Sequence, residues 1–362
     1  MPRLIAWSAT CVGVESAPLF YNAFAIFIDA LCITYVALRM STWLPAWLVL
    51  ASFGAVPTTC EIFGNATNVQ WFLQFFIAIA CFVPSAEKST TPALARVGGY
   101  VCLALAALSG PFSVLITGLA ATAILVARVS PACTREAFGP SLLNIAISVG
   151  DAAKRFPVSN VALVAACAVV QGFVLKTNKI HVLPTQFNLA QSEMNNLNIT
   201  GLSSFYQYQV ALPMSPLFIL EMIGIATAGG FLLARAASKP SVWAGISCLL
   251  FGLGLSQPIL AYLKASELQA LATTVRYCYL LTVVSCWIAW AVLLDAEPYW
   301  RNGSIALVAL VLTASVSLRP DYFRRSPLHD LSWARHATEI RDGKLAVVPV
   351  NPVPWYFKVP AK

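Results

Sequence analysis

Charge is what this chain has least of. Only 10% of its 362 residues are Asp, Glu, Lys or Arg, while 59% are hydrophobic and the mean hydropathy is +0.74. A soluble domain carries about 25% charged residues, so a surface built to face water is excluded. Histidine is scarce too: His181, His329 and His336 are too scattered to form a metal cluster. Cysteine is not scarce, but none of the ten shows C-x-x-C spacing and most sit inside apolar runs. That argues against a disulfide framework or a zinc site and for small packing residues. Walker A, G-x-G-x-x-G, H-E-x-x-H and G-x-S-x-G patterns are missing, which leaves chemistry dependent on them unsupported. Secretory signal features do not occur in order. No internal repeat is visible, against the usual transporter architecture. The net charge of +8 implies no nucleic-acid partner, because cytoplasmic loops of membrane proteins collect Lys and Arg in any case.

What the chain has is apolar runs approaching the ~20 residues that cross a bilayer. They lie near 19–38, 44–57, 69–83, 98–109, 112–127, 158–175, 217–235, 241–260, 277–294 and 304–318. The expected fold is all-α: a polytopic membrane protein of about ten helices over 1–318, with an extramembrane tail over 319–362. Residues 98–127 would make one helix of roughly 45 Å at ~1.5 Å per residue, too long for a ~30 Å core. "SGPF" (Ser109 to Phe112) breaks it. Both flanks are basic, Lys88 and Arg96 before, Arg128, Arg135, Lys154 and Arg155 after. A hairpin keeps both on the cytoplasmic side, whereas a single span strands one.

With an outside start, Arg39, those two flanks, Arg235, Lys239 and Arg301 fall inside. Arg3, Lys176, Lys179, Lys264, Arg276 and the basic tail fall outside, although the tail is long enough for the rule to weaken. An outside start without an earlier span is awkward. It leads to the expectation of reverse insertion or of an N-terminally shortened chain.

Polar groups gather at the outer side. In "EIFGNATNVQWFL", Thr67 and Gln70 fit a capping box. A helix starting near Asn65 would align Glu61, Asn65 and Asn68. Its free N–H groups would make a seat for an anion, or the residues simply cap a helix. Arg276 and Tyr277 in "TTVRYCYLL" suit either a phosphate or an interfacial anchor. The Gly110–Pro111 turn is outer, as is the amide- and Tyr-rich loop 176–216, of a kind often used as a lid. Asp29, mid-span, costs roughly 2.5–3.5 kcal/mol to insert when charged and is therefore a functional candidate, or a protonated acid bonded to a neighbour. Glu221 lies near the outer end of its span.

"GNATNVQWFL", "SGPFSVL", "VRYCYLL" and "VPVNPVPWYF" after "DLSW", in that order from about Pro2 to Pro360, resemble bacterial polytopic membrane proteins that look like GT-C-type glycosyltransferases. The resemblance implies a multi-pass inner-membrane enzyme that takes sugar from a lipid-phosphate-linked donor at the outer face, with membrane lipids around it. It also implies a base or divalent-metal ligand in the first outer loop; no cofactor is otherwise evident. The matching positions are Asn65, Thr67, Asn68, Gln70, Trp71, Gly110, Pro111, Phe112, Arg276 and Tyr277. The helix and acidic loop that the resemblance implies before them are not in this sequence, which leaves the catalytic acid unassigned; Glu15 is a weak substitute. The alternative is a carrier or flippase for a lipid-linked or anionic solute, using Asp29 and Glu221. A structural membrane subunit is the third reading.

Overall fold

The structure, a computed structural model, describes residues 8, 13–56, 68–84, 92–129, 135–177, 216–263, 275–295, 302, 332–344, 346–349 and 356–359. A 3-10 turn, Val14–Ser16, leads into α1 (Ala17–Met40). There follow α2 (Ala46–Ala55), α3 (Gln70–Phe82), α4 (Ala93–Ala107), α5 (Phe112–Val129), α6 (Arg135–Ala153) and α7 (Val158–Thr177). Then come α8 (Pro216–Ser238), α9 (Val242–Leu263), α10 (Val275–Asp295), α11 (Trp333–Arg341) and a ribbon of β1 (Ala346–Pro349) and β2 (Tyr356–Val359).

Among the described residues, α1 and α5 are each long and apolar enough to cross a membrane. α6 and α7 pass that test together, bent by 93°. Others are shorter: the 13 residues of α3 span roughly 20 Å. The expected span at 304–318 lies outside the described residues.

The faces of α1 show why lipid is the right solvent. Ala25, Asp29, Cys32, Val36 and Met40 recur at helical spacing and are buried, whereas Ile26, Phe27, Leu31 and Leu38 are exposed. The outward face is thus the greasier one, and α7 repeats this with exposed Val158, Val169, Val170 and Phe173. Apolar surface this continuous marks a surface that meets something other than water. The molecule is a helical membrane protein.

At the centre is α3, buried around nearly its whole circumference from Trp71 to Phe82. A helix apolar on all sides belongs inside a core. Phe53 of α2 meets Phe75 edge-on at 5.0 Å and Trp287 of α10 at 5.8 Å, a favoured geometry for aromatic pairs.

Cross-helix contacts set the directions. Tyr35 packs on Phe76 at 4.7 Å, and Arg39 Nη2 donates to the Val83 carbonyl at 2.7 Å, so α1 and α3 run parallel. Asn160 Nδ2 donates to the Ala80 carbonyl at 2.8 Å, which makes α7 antiparallel to α3. Tyr100 hydroxyl to Ser159 Oγ, 3.0 Å, and Gln171 Nε2 to the Leu108 carbonyl align α4 with α7. Because α5 begins beside the start of α3, with Trp71 and Phe112 at 5.1 Å, α4 and α5 run in opposite directions. The chain therefore reverses at the Gly110–Pro111 turn, as expected. The two arms do not close on one another as a simple hairpin, for both pack against α3 and α7.

One element departs from expectation. Residues 135–153, read from the sequence as part of a basic flank, form α6 with a kink at Gly139 (φ 68°) before Pro140. It lies against the last turns of α5 and α8 and the start of α9. Asn144 Nδ2 donates to the Ala237 carbonyl at 2.5 Å, and Ser148 Oγ accepts from the Ser241 amide at 3.3 Å.

Candidate functional site

The bundle has two unlike ends. One carries the starts of α1, α3, α5 and α10 and the α4–α5 turn; it is called the turn end here. The other carries Arg39, Arg96, Arg128, Lys154, Arg155, Arg235 and Lys239. Ion pairs there are exposed, Lys154–Asp151 at 2.8 Å and Arg235–Asp295 at 2.6 Å, and contribute little stability.

At the turn end, α3 starts at Gln70, later than the expected start near Asn65. Val69 occupies the N-cap position with no side-chain cap bond. Asn68 sits in the preceding turn, where its carbonyl accepts from the Trp71 amide at 2.9 Å, while the Val69 carbonyl takes Phe72 and Leu73 at 3.0 Å each. Gln70 therefore stands at the first helical position instead of closing a capping box from the fourth. Glu61, Asn65 and Thr67 lie outside the described residues.

Two of the expected motifs do meet. A Cβ on Gly110 would stand 3.1 Å from Gln70 Oε1, so the glycine allows the α4–α5 turn to close against the first residue of α3. Next to it Trp71, 3% exposed, packs edge-on against Phe112. Trp71 is thus packed into the wall of this end. Asn68 is buried beside it.

Asp29 belongs to the same level. Since Tyr35 pairs with Phe76 and Arg39 with Val83, the parallel run of α1 and α3 sets Asp29 near the first turn of α3. It is 3% exposed. Tyr279 packs 5.8 Å from Phe72, and its hydroxyl donates to the Phe53 carbonyl at 3.1 Å. Arg276 and Tyr277 occupy the first turn of α10, just before Tyr279, which sets their backbone at the turn end. Glu221 falls in the first half of α8, whose last turn reaches the basic end, and so on the turn-end side. The side chains of Arg276, Tyr277 and Glu221 lie outside the described residues.

Sequence reasoning overlooked a set of uncharged polar groups beneath this level. Gln257 Nε2 of α9 donates to Gln74 Oε1 of α3 at 2.5 Å, with both residues buried. Gln74 Nε2, Gln257 Oε1, Ser113 Oγ and Thr117 Oγ1 are buried and meet no hydrogen-bonding group among the described residues. Ser113 and Thr117 follow Phe112 on α5 as Gln74 follows Trp71 on α3, so the groups lie within about one and a half helical turns of the Trp71–Phe112 contact. The signal was present: an amide inside an otherwise apolar run, "WFLQFF" and "LSQPIL".

Among the described side chains, the arrangement offers buried neutral donors and acceptors and the buried acid Asp29 toward one end of the bundle. That suits hydrogen bonding to hydroxyl or phosphate oxygen more than redox or nucleophilic work. Among the described residues no three His, Cys, Asp or Glu side chains gather as a metal ion would require. Comparison with protein-family models, curated proteins and solved structures finds no match for this chain.

Proposed function

We propose that the chain is a GT-C-like membrane glycosyltransferase of the bacterial inner membrane. On this reading it has about ten spans and works at its outer face on a lipid-phosphate-linked sugar. The observation that carries the reading is the meeting of Gln70 with Gly110 and of Trp71 with Phe112, one turn from buried Asn68, at the end opposite the basic one. A donor with its phosphate at the outer leaflet would approach that end. Arg276 has the fork to hold two phosphate oxygens, and Asn68 and Gln70 supply amides to sugar hydroxyls. Arg276→Ala is expected to abolish transfer while leaving the amount of folded protein unchanged. Full transfer by that variant would remove Arg276 from the site.

Buried Asp29 in α1 favours the second reading, a carrier or flippase for a lipid-linked or anionic solute. A carrier needs polar lining along its whole path. Here Ser148 and Ser247, buried near the basic end, bond back to their own helices, which makes them poor lining for such a path. Solute movement in vesicles that Asp29→Asn eliminates would revive the carrier.

A further inference from the structure

The last described elements return to where α1 begins. Arg341 Nη1 of α11 pairs with Glu15 Oε1 at 2.6 Å, and Trp333 Nε1 donates to the Glu15 backbone carbonyl at 3.1 Å. Trp333 and Arg341 are the two ends of α11, so the helix lies along the 3-10 turn and grips it twice. Gly343 (φ 71°) then lets the chain leave the helix, with its amide on the Ile340 carbonyl at 3.1 Å. β1 and β2 pair antiparallel from Ala346↔Val359 to Pro349↔Tyr356. Ala337 and Val348, both buried, give helix and ribbon a small core of their own.

α10, by contrast, ends at Asp295, which pairs with Arg235 beside the basic end. α1 leads from Glu15 at the turn end to Arg39 at the basic end. The carboxylates of Glu15 and Asp295 thus mark opposite ends of one bundle.

We infer that α11 and its ribbon form a strap on the membrane side opposite the basic end, held to the approach of α1 through Glu15. It shares that side with the Asn68–Gly110 site. This assignment stands apart from the glycosyl-transfer reading, because it uses only Glu15, Trp333, Arg341 and the direction of α1.

The test uses the native chain in sealed vesicles of each orientation. Lys154 and Arg155 at the basic end, and Arg335 and Lys344 in the strap, are exposed residues cut by trypsin. Cleavage mapped by mass spectrometry is expected at the strap sites in one orientation and at Lys154–Arg155 in the other. Cleavage of both sets from one face would overturn the strap. If the strap sites open only in inside-out vesicles, the strap stands and the outer-face donor reading falls. Glu15→Lys should speed strap cleavage by about fivefold, the upper range for an exposed ion pair, and Glu15→Arg with Arg341→Glu should restore it. An unchanged rate in Glu15→Lys would show that Glu15 does not hold the strap.

Discussion

Gln74 and Gln257 put two amides where an apolar pair would pack as well, joined by one hydrogen bond of 2.5 Å. Stabilisation alone does not explain them, since in membranes such cross-helix bonds average only about 0.6 kcal/mol. Their effect is asymmetric: removing one partner leaves the other amide buried and unmatched, whereas removing both leaves nothing to match. Gln257→Leu alone is expected to lose about 1–3 kcal/mol, and Gln74→Leu with Gln257→Leu to lie much closer to the parent. Unfolding in a graded detergent mixture reads both, and a double variant no better than the single would mean that the pair is not a closed unit. The same residues are the natural floor of the turn-end site. If they bind a hydroxylated ligand, the stable double variant loses it.

Short helices that stop inside a bundle face a chemical difficulty, because the last carbonyls of each are orphaned where water is excluded. Side chains from neighbouring helices answer it here: Tyr279 on the Phe53 carbonyl, Asn160 on Ala80, Arg39 on Val83, Gln171 on Leu108 and Asn144 on Ala237. Close helix approach makes these reaches feasible, and small residues permit it. A Cβ on Gly245 would stand 2.0 Å from the Ser148 carbonyl oxygen, whereas one on Gly252 meets nothing within 4 Å. Gly245→Ala must push backbone from backbone and should cost more than about 3 kcal/mol. Gly252→Ala should be neutral or gain up to about 1 kcal/mol of helix propensity. Thermal unfolding of the two variants in detergent separates these outcomes, and equal stability would mean that α6 does not pack on α9 this closely. Composition alone announced the membrane class, and Gly110–Pro111 announced the reversal, because such signals are local. The start of α3 was misplaced because a Thr67–Gln70 spacing says nothing about which residue becomes the N-cap. α6 was not legible: with Arg135, Glu136 and Asp151 it lacks a continuous apolar run, and only its partners on α5, α8 and α9 make it a helix of the core. The Gln74–Gln257 pair joins residues far apart in sequence, a proximity no single-chain pattern encodes.

At the scale of the molecule, one end gathers Arg39, Arg96, Arg128, Lys154, Arg155, Arg235 and Lys239, while the buried Gln74–Gln257 amides, Asp29 and the α4–α5 turn lie toward the other. Asp295 and Ser332 stand at opposite ends as well. The helix α11 adds an exposed titratable contact. Hydrogen bonds from Arg335 first, then His336, hold the Glu339 carboxyl below its ordinary range, with their charges adding to the effect. A carboxyl whose folded value is depressed favours the folded state only when ionised. Its contribution is therefore complete above the unfolded glutamate value of about 4.3, and it is lost as pH falls through the lower folded value. α11 should accordingly stay equally protected from about pH 7 to about pH 5 and loosen only below about pH 4. Glu339→Gln should remove Glu339's share of the acid loosening without moving protection at neutral pH by more than a surface pair allows. Amide hydrogen exchange across α11, corrected for the intrinsic pH dependence, reads this directly. Loosening already complete near pH 6 would show that Glu339 is not the group responsible.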